Sequence, residues 1–149
     1  PCCGSGIIRN LRGTEMKTEE GISRNRQEIR DWISRRMGNG LEFPVDLLPE
    51  TGLTVTGEGG KRLCAVVVYF EKTSPVAYIG WIATNPCNTL EESANSIAFG
   101  IREAADYARR NGARHLLTTT GNRGINRIFD RQGFVSGDRM VEHKYRYLF

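Results

Sequence analysis

The sequence predicts an α/β (α+β) fold, in which a mixed, mostly antiparallel sheet carries helices on both faces. Three strand-like segments follow one another in the middle of the 149-residue chain, separated only by short turns. A long amphipathic segment then separates the last of them, Val76–Thr84, from a β-branched segment at residues 114–120. Two strands joined through a helix in this way run parallel. The sheet is therefore predicted to contain one parallel strand–helix–strand crossover.

The first part of the chain predicts a short strand and a helix. Residues 7–11 have the composition of a strand. From Thr18 to Met37 the apolar residues fall on one helical stripe, with arginine and glutamate on the other faces. Residues 38–40 read Gly-Asn-Gly, which suits a left-handed helix end. Residues 41–50 contain two prolines and are predicted to form a loop.

The middle of the chain predicts an antiparallel meander. Residues 53–56 form a short alternating strand, and the Glu-Gly-Gly sequence at 58–60 supplies a hairpin turn, because glycine tolerates positive φ. Arg62–Phe70 is apolar on both faces, which indicates a central buried strand. Residues 72–75 then turn the chain into the third strand.

The last part of the chain predicts a long helix, a strand, a short helix and a hairpin. Residues 89–111 place apolar side chains at three- and four-residue steps, which gives a helix of about six turns. The short helix spans 122–132, and the hairpin pairs 133–138 with 140–149. We expect residues 7–149 to form a single domain behind a flexible N-terminal tail at 1–6.

Composition limits the classes of function. The net charge is +4, and arginines cluster at 24–36, 102–114 and 123–146. No apolar run approaches the ~20 residues that span a bilayer. We therefore expect a cytoplasmic protein without a membrane partner. The four cysteines lack the spacing of a disulfide framework or a metal site, so no metal ligand is predicted.

The long helix is predicted to begin with a capping box at Thr89-Leu90-Glu91-Glu92. Threonine at the cap accepts a hydrogen bond from the amide three residues on, and glutamate at that third position can reach back to the amide of the cap. Such a capping box uses amides that would otherwise attract an anion to the positive end of the helix dipole.

One segment carries a motif with a recognisable spacing. An asparagine is followed by apolar residues at the third and sixth places, an aromatic residue at the seventh, and Gly-Phe at the eleventh and twelfth. The residues at these positions are Asn122, Ile125, Ile128, Phe129, Gly133 and Phe134. With the order of strands and helices, this motif resembles the GCN5-related N-acetyltransferase (GNAT) family over nearly the whole chain. Helical packing on a sheet would also account for these residues when the segment is taken alone.

The resemblance implies a site for an acyl-CoA cofactor. It places the pantetheine arm against Ile82, Ala83 and Thr84, with Asn122 and Phe129 beside it. In the family the position of Phe129 is usually a tyrosine that protonates the departing thiolate. Phenylalanine has no proton to give, and the loss of a general acid typically costs 10²–10⁴-fold in rate. No catalytic residue is therefore assigned.

Other residues are candidates for the missing general acid and for a general base. Substitutes for the acid are Tyr107, Tyr78, Cys87 and His143. A base would come from Glu71 or His115, although many members of the family use a chain of water molecules instead.

The resemblance also implies a glycine-rich phosphate loop at about residues 91–97. That segment reads Glu-Glu-Ser-Ala-Asn-Ser-Ile, without a glycine and without a preceding cation. Glycine lets the backbone curl around a pyrophosphate without a clash at Cβ. No cofactor is therefore expected, and acetyl-CoA would be the cofactor of an active form.

Three functions follow from these observations. The first is a GNAT-fold protein with a degraded acyl-CoA site, acting as a binding or structural component similar to the short GNAT-like proteins of tailed-phage structural gene clusters. Its partners would be proteins, in a homo-oligomer or a virion, and its location the host cytoplasm or the virion. The second is an active acetyl-CoA-dependent N-acetyltransferase. The third is a nucleic-acid-binding module that uses the arginine-rich surface at 24–36.

Overall fold

A computed structural model of the chain describes residues 15–38 and 40–137. It contains a five-stranded sheet in the order β1-β2-β3-β4-β5. The strands are β1 Lys17–Glu20, β2 Gly52–Thr56, β3 Arg62–Phe70, β4 Val76–Thr84 and β5 His115–Thr118. The helices are α1 Arg26–Met37, α2 Leu90–Arg110 and α3 Arg123–Arg131. The strand predicted at 7–11 and the last hairpin strand at 140–149 lie outside the described residues.

The predicted meander and crossover are confirmed. Strands β1 to β4 pair antiparallel with their neighbours, whereas β4 and β5 pair parallel. The boundaries of β3 and β4 are those predicted, and β5 is shorter than the predicted segment 114–120. The turn between β2 and β3 contains Gly59 and Gly60 at positive φ, as predicted.

The helix predicted from Thr18 is wrong in its first two turns. Lys17–Glu20 is an edge strand that pairs with β2, and α1 begins only at Arg26. Gly21, at φ 85°, turns the chain between the two elements. Ile22 is fully buried, but it reaches the core from this turn and not from a helix. Pairing with β2 overrides the helical pattern of a polar segment that has little intrinsic preference for a strand.

Two apolar clusters fill the two faces of the sheet, which confirms the prediction of helices on both faces. One cluster joins α2 and α3 to the sheet, and the other joins α1 and the loop that follows it. Ile97, Ile101 and Ala104 of the predicted α2 stripe are buried. Leu90 is wrong as a member of that stripe, because it is 92% exposed at the first helical position.

A one-residue bulge interrupts the pairing of β3 with β4. Val67 lies opposite Trp81, whereas Val68 lies opposite Ile79, so Gly80 is the additional residue on β4. A bulge bends its strand and increases the local twist. The last residue of β4 that pairs with β5 is Ile79. The two strands therefore diverge at the bulge.

Among the described residues, none of the helices could span a bilayer.

Helix α2 approaches the sheet most closely at Gly100. A Cβ at this position would lie 2.9 Å from Val66 Cγ2 and 3.2 Å from Val55 Cγ2. Both valines are fully buried. The small residue therefore sets the distance between α2 and the sheet.

We expect Gly100→Ala to destabilise the fold by about 1–2 kcal/mol. Overpacking of a core costs about 1–3 kcal/mol, and the better helix propensity of alanine returns up to ~1 kcal/mol. Urea denaturation measures the difference. Asp106→Ala, on the exposed face of the same helix, is the control and should stay within about 0.5 kcal/mol of the wild type. A neutral or stabilising Gly100→Ala would contradict the tight contact.

Candidate active site at the open end of the sheet

The divergence of β4 and β5 leaves one edge of β4 without a partner strand within the described part of the chain. Only the first residues of β4, Val76 to Ile79, pair with β5. The remaining residues up to Thr84 lead directly to the start of α2, and β5 leads to the start of α3. An exposed strand edge and two helix N-termini thus meet at one end of the sheet. Ligands of mixed sheets bind at such a point.

An arginine of α1 occupies part of this strand edge. The amide of Asn85 donates to the carbonyl of Leu63, so the alternation of an antiparallel pair turns the backbone polar groups of Ile82 away from β3. Arg36 donates from Nη1 to the carbonyl of Ile82 at 2.9 Å. The carbonyl is therefore already hydrogen-bonded at the position where the predicted pantetheine arm would lie.

The N-terminus of α2 has the predicted capping box. Thr89 Oγ1 accepts from the amide of Glu92 at 3.1 Å, and Glu92 Oε2 accepts from the amide of Thr89 at 2.8 Å. Lys61, from the turn between β2 and β3, donates to both carboxylate oxygens of Glu92 at 2.9 Å. The Glu92 carboxylate is thus turned back onto the helix start, where a cation neutralises it.

The environment of Glu92 favours its charged form. Partial burial raises the pKa of the carboxyl group, but the hydrogen bonds from the Thr89 amide and from Lys61 outweigh it, and the pKa is lowered from its usual value. No local pattern pointed to Lys61, which is 31 residues away from Glu92 along the chain. The segment just before residues 91–97 contains no cation, as expected from the sequence, but the fold brings Lys61 to Glu92.

The loop between β4 and α2 is tied to the start of β3. Asn85 donates from its side chain to the carbonyl of Arg62, and Asn88 donates to the carbonyl of Leu63, each at 2.8 Å. The amide of Cys87 donates to Asn85 Oδ1 at 2.9 Å. These bonds hold the loop by its own side chains, without the glycines of a phosphate-binding loop.

Helix α3 uses its motif residues for capping and packing. Asn122 is its N-cap, and Oδ1 accepts from the amide of Ile125 at 3.0 Å. Phe129 is only 3% exposed, and its ring makes an edge contact with Phe134 at 4.7 Å between centroids. The cap at Asn122 and the packing of Phe129 are the contacts that any short helix on a sheet would make.

The residues predicted to bind the cofactor are only partly brought together. Ile82 and Phe129 belong to the same apolar cluster, on the α2 and α3 face. The side chain of Ala83 lies in the other cluster, against α1, as strand alternation requires. Thr84 is partly buried at the end of β4. Their role in cofactor binding stays a prediction.

Several candidates for the acid and base lie at the opposite end of the sheet. Tyr107 packs against Phe70, which pairs with Ala77 near the start of β4. His115 lies opposite Val76 in the same region. Strand rise separates Ala77 from Thr84 by roughly 20 Å. Tyr107 and His115 therefore lie far from the end of β4 and from the start of α2.

The remaining candidates have other surroundings. Glu71 follows the end of β3, where its carboxylate accepts from the Thr73 hydroxyl and from two backbone amides, and these bonds lower its pKa. Tyr78 is partly buried within β4, and Cys87 lies in the loop before α2. His143 lies outside the described residues. Cys64 is buried, and burial raises the pKa of its thiol to about 12, as expected for an unreactive core cysteine.

Three of the arginines at 24–36 form ion pairs or hydrogen bonds. Arg24 pairs with Glu19, Arg30 pairs with Asp31 and Glu42, and Arg36 bonds the strand edge as described above. Their role as a nucleic-acid surface stays a prediction. The described residues contain no group of three or more side chains that could hold a metal ion.

Solved structures place this architecture among known folds. No protein-family model and no curated protein sequence matches the chain. The structure is similar to acetyltransferases with the GNAT fold, and the chain has that fold.

Three of these structures show how far the similarity extends. An aminoglycoside N-acetyltransferase in complex with CoA matches with a TM-score of 0.61 and 14% identity, over 93% of this chain and 99% of that chain. An acetyltransferase of Trypanosoma brucei matches with a TM-score of 0.59 and 9% identity, over 88% and 100%. An aminoglycoside acetyltransferase from an uncultured soil metagenomic sample, in complex with sisomicin, matches with a TM-score of 0.58 and 13% identity, over 89% and 96%. At these identities the similarity shows the fold alone.

We expect Glu92→Gln to lower the free energy of unfolding by about 0.5–1 kcal/mol at neutral pH. Glutamine can still accept from the Thr89 amide, so the loss measures the charge and its pairing with Lys61. Because the folded-state pKa of Glu92 is lowered, this stabilisation is present above the unfolded-state pKa near 4.3 and is lost as the pH falls through the folded-state pKa.

Urea denaturation of both proteins across the acid range tests this expectation. Glu91→Gln is the matched control, because it removes the same charge from the same helical turn without touching Lys61. Equal effects of the two substitutions, or a difference between wild type and Glu92→Gln that is independent of pH, would contradict the described pairing.

Proposed function

We propose that this chain is a GNAT-fold protein with a degraded acyl-CoA site, and that it works as a non-catalytic binding or structural component. The observation that carries the proposal is the start of α2, where Thr89, Glu92 and Lys61 close the helix end on itself. A pyrophosphate would need these amides and would have to lie beside a carboxylate that is held there by two kinds of bond.

Two further observations support the proposal. The carbonyl of Ile82 already accepts from Arg36, so a pantetheine arm would have to displace a guanidinium group from the strand edge. Phe129 has no proton to donate and is buried against Phe134. Cofactor binding and leaving-group protonation are thus disfavoured at separate positions.

A protein is the partner that this function requires. The resemblance to short GNAT-like phage proteins suggests a second copy of the chain or a component of a virion. The partner is proposed on this resemblance.

We expect no saturable heat when acetyl-CoA is titrated into the wild-type protein at up to millimolar concentration in a calorimeter. A shift of the melting temperature on addition of acetyl-CoA gives an independent readout, since a ligand that binds only the native state stabilises it. Saturation in the micromolar range would contradict the proposal. Release of free thiol in the presence of amine acceptors would then favour the active N-acetyltransferase.

A double variant tests the reason for the closed site. We expect Glu91→Gly/Glu92→Gly to bind acetyl-CoA more tightly than the wild type, because it removes two carboxylates and frees the amide of Thr89. Glu103→Gly, further along α2, introduces a helical glycine and removes a charge without changing that helix start. A gain in the control as large as in the double variant would show that the capping box is not the cause.

A further inference from the structure

The outward face of α3 carries a regular row of arginines. Arg123, Arg127 and Arg131 follow one another at intervals of four residues, and all three are exposed. Residues four apart lie above one another on one side of a helix. Ile125 and Phe129 are buried on the opposite side. We call the three arginines the α3 arginine row.

The three arginines of the α3 arginine row form no salt bridge, a property that they share with Arg26, Arg35, Arg36 and Arg114 among the described residues. Six arginines elsewhere form ion pairs with a carboxylate, and these are Arg24, Arg30, Arg62, Arg102, Arg109 and Arg110. Within the described part of the chain, no carboxylate forms a salt bridge with Arg123, Arg127 or Arg131. Asp130 lies on the same helix but forms no salt bridge with any of the three arginines. Their positive charge is therefore available to a partner.

The row is long enough to lie along several phosphates of a nucleic-acid strand. Four residues of helix rise about 6 Å, so the row extends over about 12 Å. One strand of a B-form duplex carries a phosphate for each 3.4 Å along the axis, which places about three phosphates along that length. Near Arg123, a Cβ on Gly124 would meet only Asn122 Oδ1 within 4 Å, so the surface beside the row is open.

We propose that the α3 arginine row binds the phosphate backbone of a nucleic acid without reading its sequence. A solvated helix face is the simpler explanation for exposed arginines, but these three form one regular row on a single helix and none of them has an ion pair. A polynucleotide presents negative charges along a line, and the row presents positive charges along a line, whereas the carboxylates of an acidic protein surface need not be arranged in this way. The proposal does not depend on whether acyl-CoA binds, because the row faces away from Phe129.

The salt dependence of binding to a short labelled oligonucleotide tests the proposal. For three phosphate contacts, the slope of log K against log salt should be about −2.7 for duplex DNA and about −2 for a single strand. Between about 50 and 200 mM salt the affinity for the duplex should then fall by about 40-fold. Each Arg→Gln substitution in the row should reduce the slope by about 1.

Charge-matched variants identify the surface that binds. The triple variant Arg123→Gln/Arg127→Gln/Arg131→Gln should lose at least tenfold in affinity at about 50 mM salt. Replacement of the same residues by lysine should keep most of the binding. The control Arg24→Gln/Arg102→Gln/Arg109→Gln removes the same charge from other surfaces and should bind like the wild type. Circular dichroism verifies that each variant is folded.

Three results would overturn the proposal. The wild-type protein would show no salt-dependent binding, the control would lose as much affinity as the α3 variant, or polyglutamate would compete as effectively as DNA at equal charge. The last result would assign the α3 arginine row to an acidic protein.

Discussion

The bulge at Gly80 is the constraint on which the open end of the sheet depends. Strand β4 stays paired with β3 over its whole length, but it leaves β5 after Ile79. The one-residue bulge meets both requirements, because it bends β4 without ending its pairing with β3. A Cβ on Gly80 would collide with the ring of Tyr69, whose hydroxyl donates to the carbonyl of Leu47. Packing on the α1 face therefore requires a glycine at this point.

The fold and the chemistry of its open end lead to different conclusions. The divergence of the strands and the two helix starts form a frame of the kind in which mixed sheets bind ligands. In this chain, side chains from distant parts of the sequence occupy that frame. Lys61 holds Glu92 at the start of α2, and Arg36 bonds the carbonyl of Ile82. Two like charges 4 Å apart cost on the order of 4 kcal/mol at an effective dielectric of 20, so a phosphate at that distance from Glu92 would need compensation from nearby cations.

Local signals in the sequence predicted most of the fold, whereas long-range contacts could not be predicted. The apolar runs of β3 and β4, the capping box at Thr89 and the amphipathic pattern of α2 depend on neighbouring residues, and the structure confirms them. Strand β1 was missed because only its pairing with β2 makes a strand of a polar segment. Lys61 and Arg36 lie 31 and 46 residues from their partners, and no periodicity reports such contacts. The sequence therefore predicted where the site lies in the fold, but not that Lys61 and Arg36 form hydrogen bonds there.

The carboxylate of Glu92 closes the N-terminus of α2, and the backbone amide of Thr89 reports on this closure directly. Its NMR resonance can be followed through an acid titration, with and without millimolar acetyl-CoA. We predict that the Thr89 amide titrates with a pKa below the ordinary glutamate value near 4.3, and that acetyl-CoA leaves both the resonance and that pKa unchanged. Titration at the ordinary value, or a shift of the Thr89 amide on addition of acetyl-CoA, would contradict it.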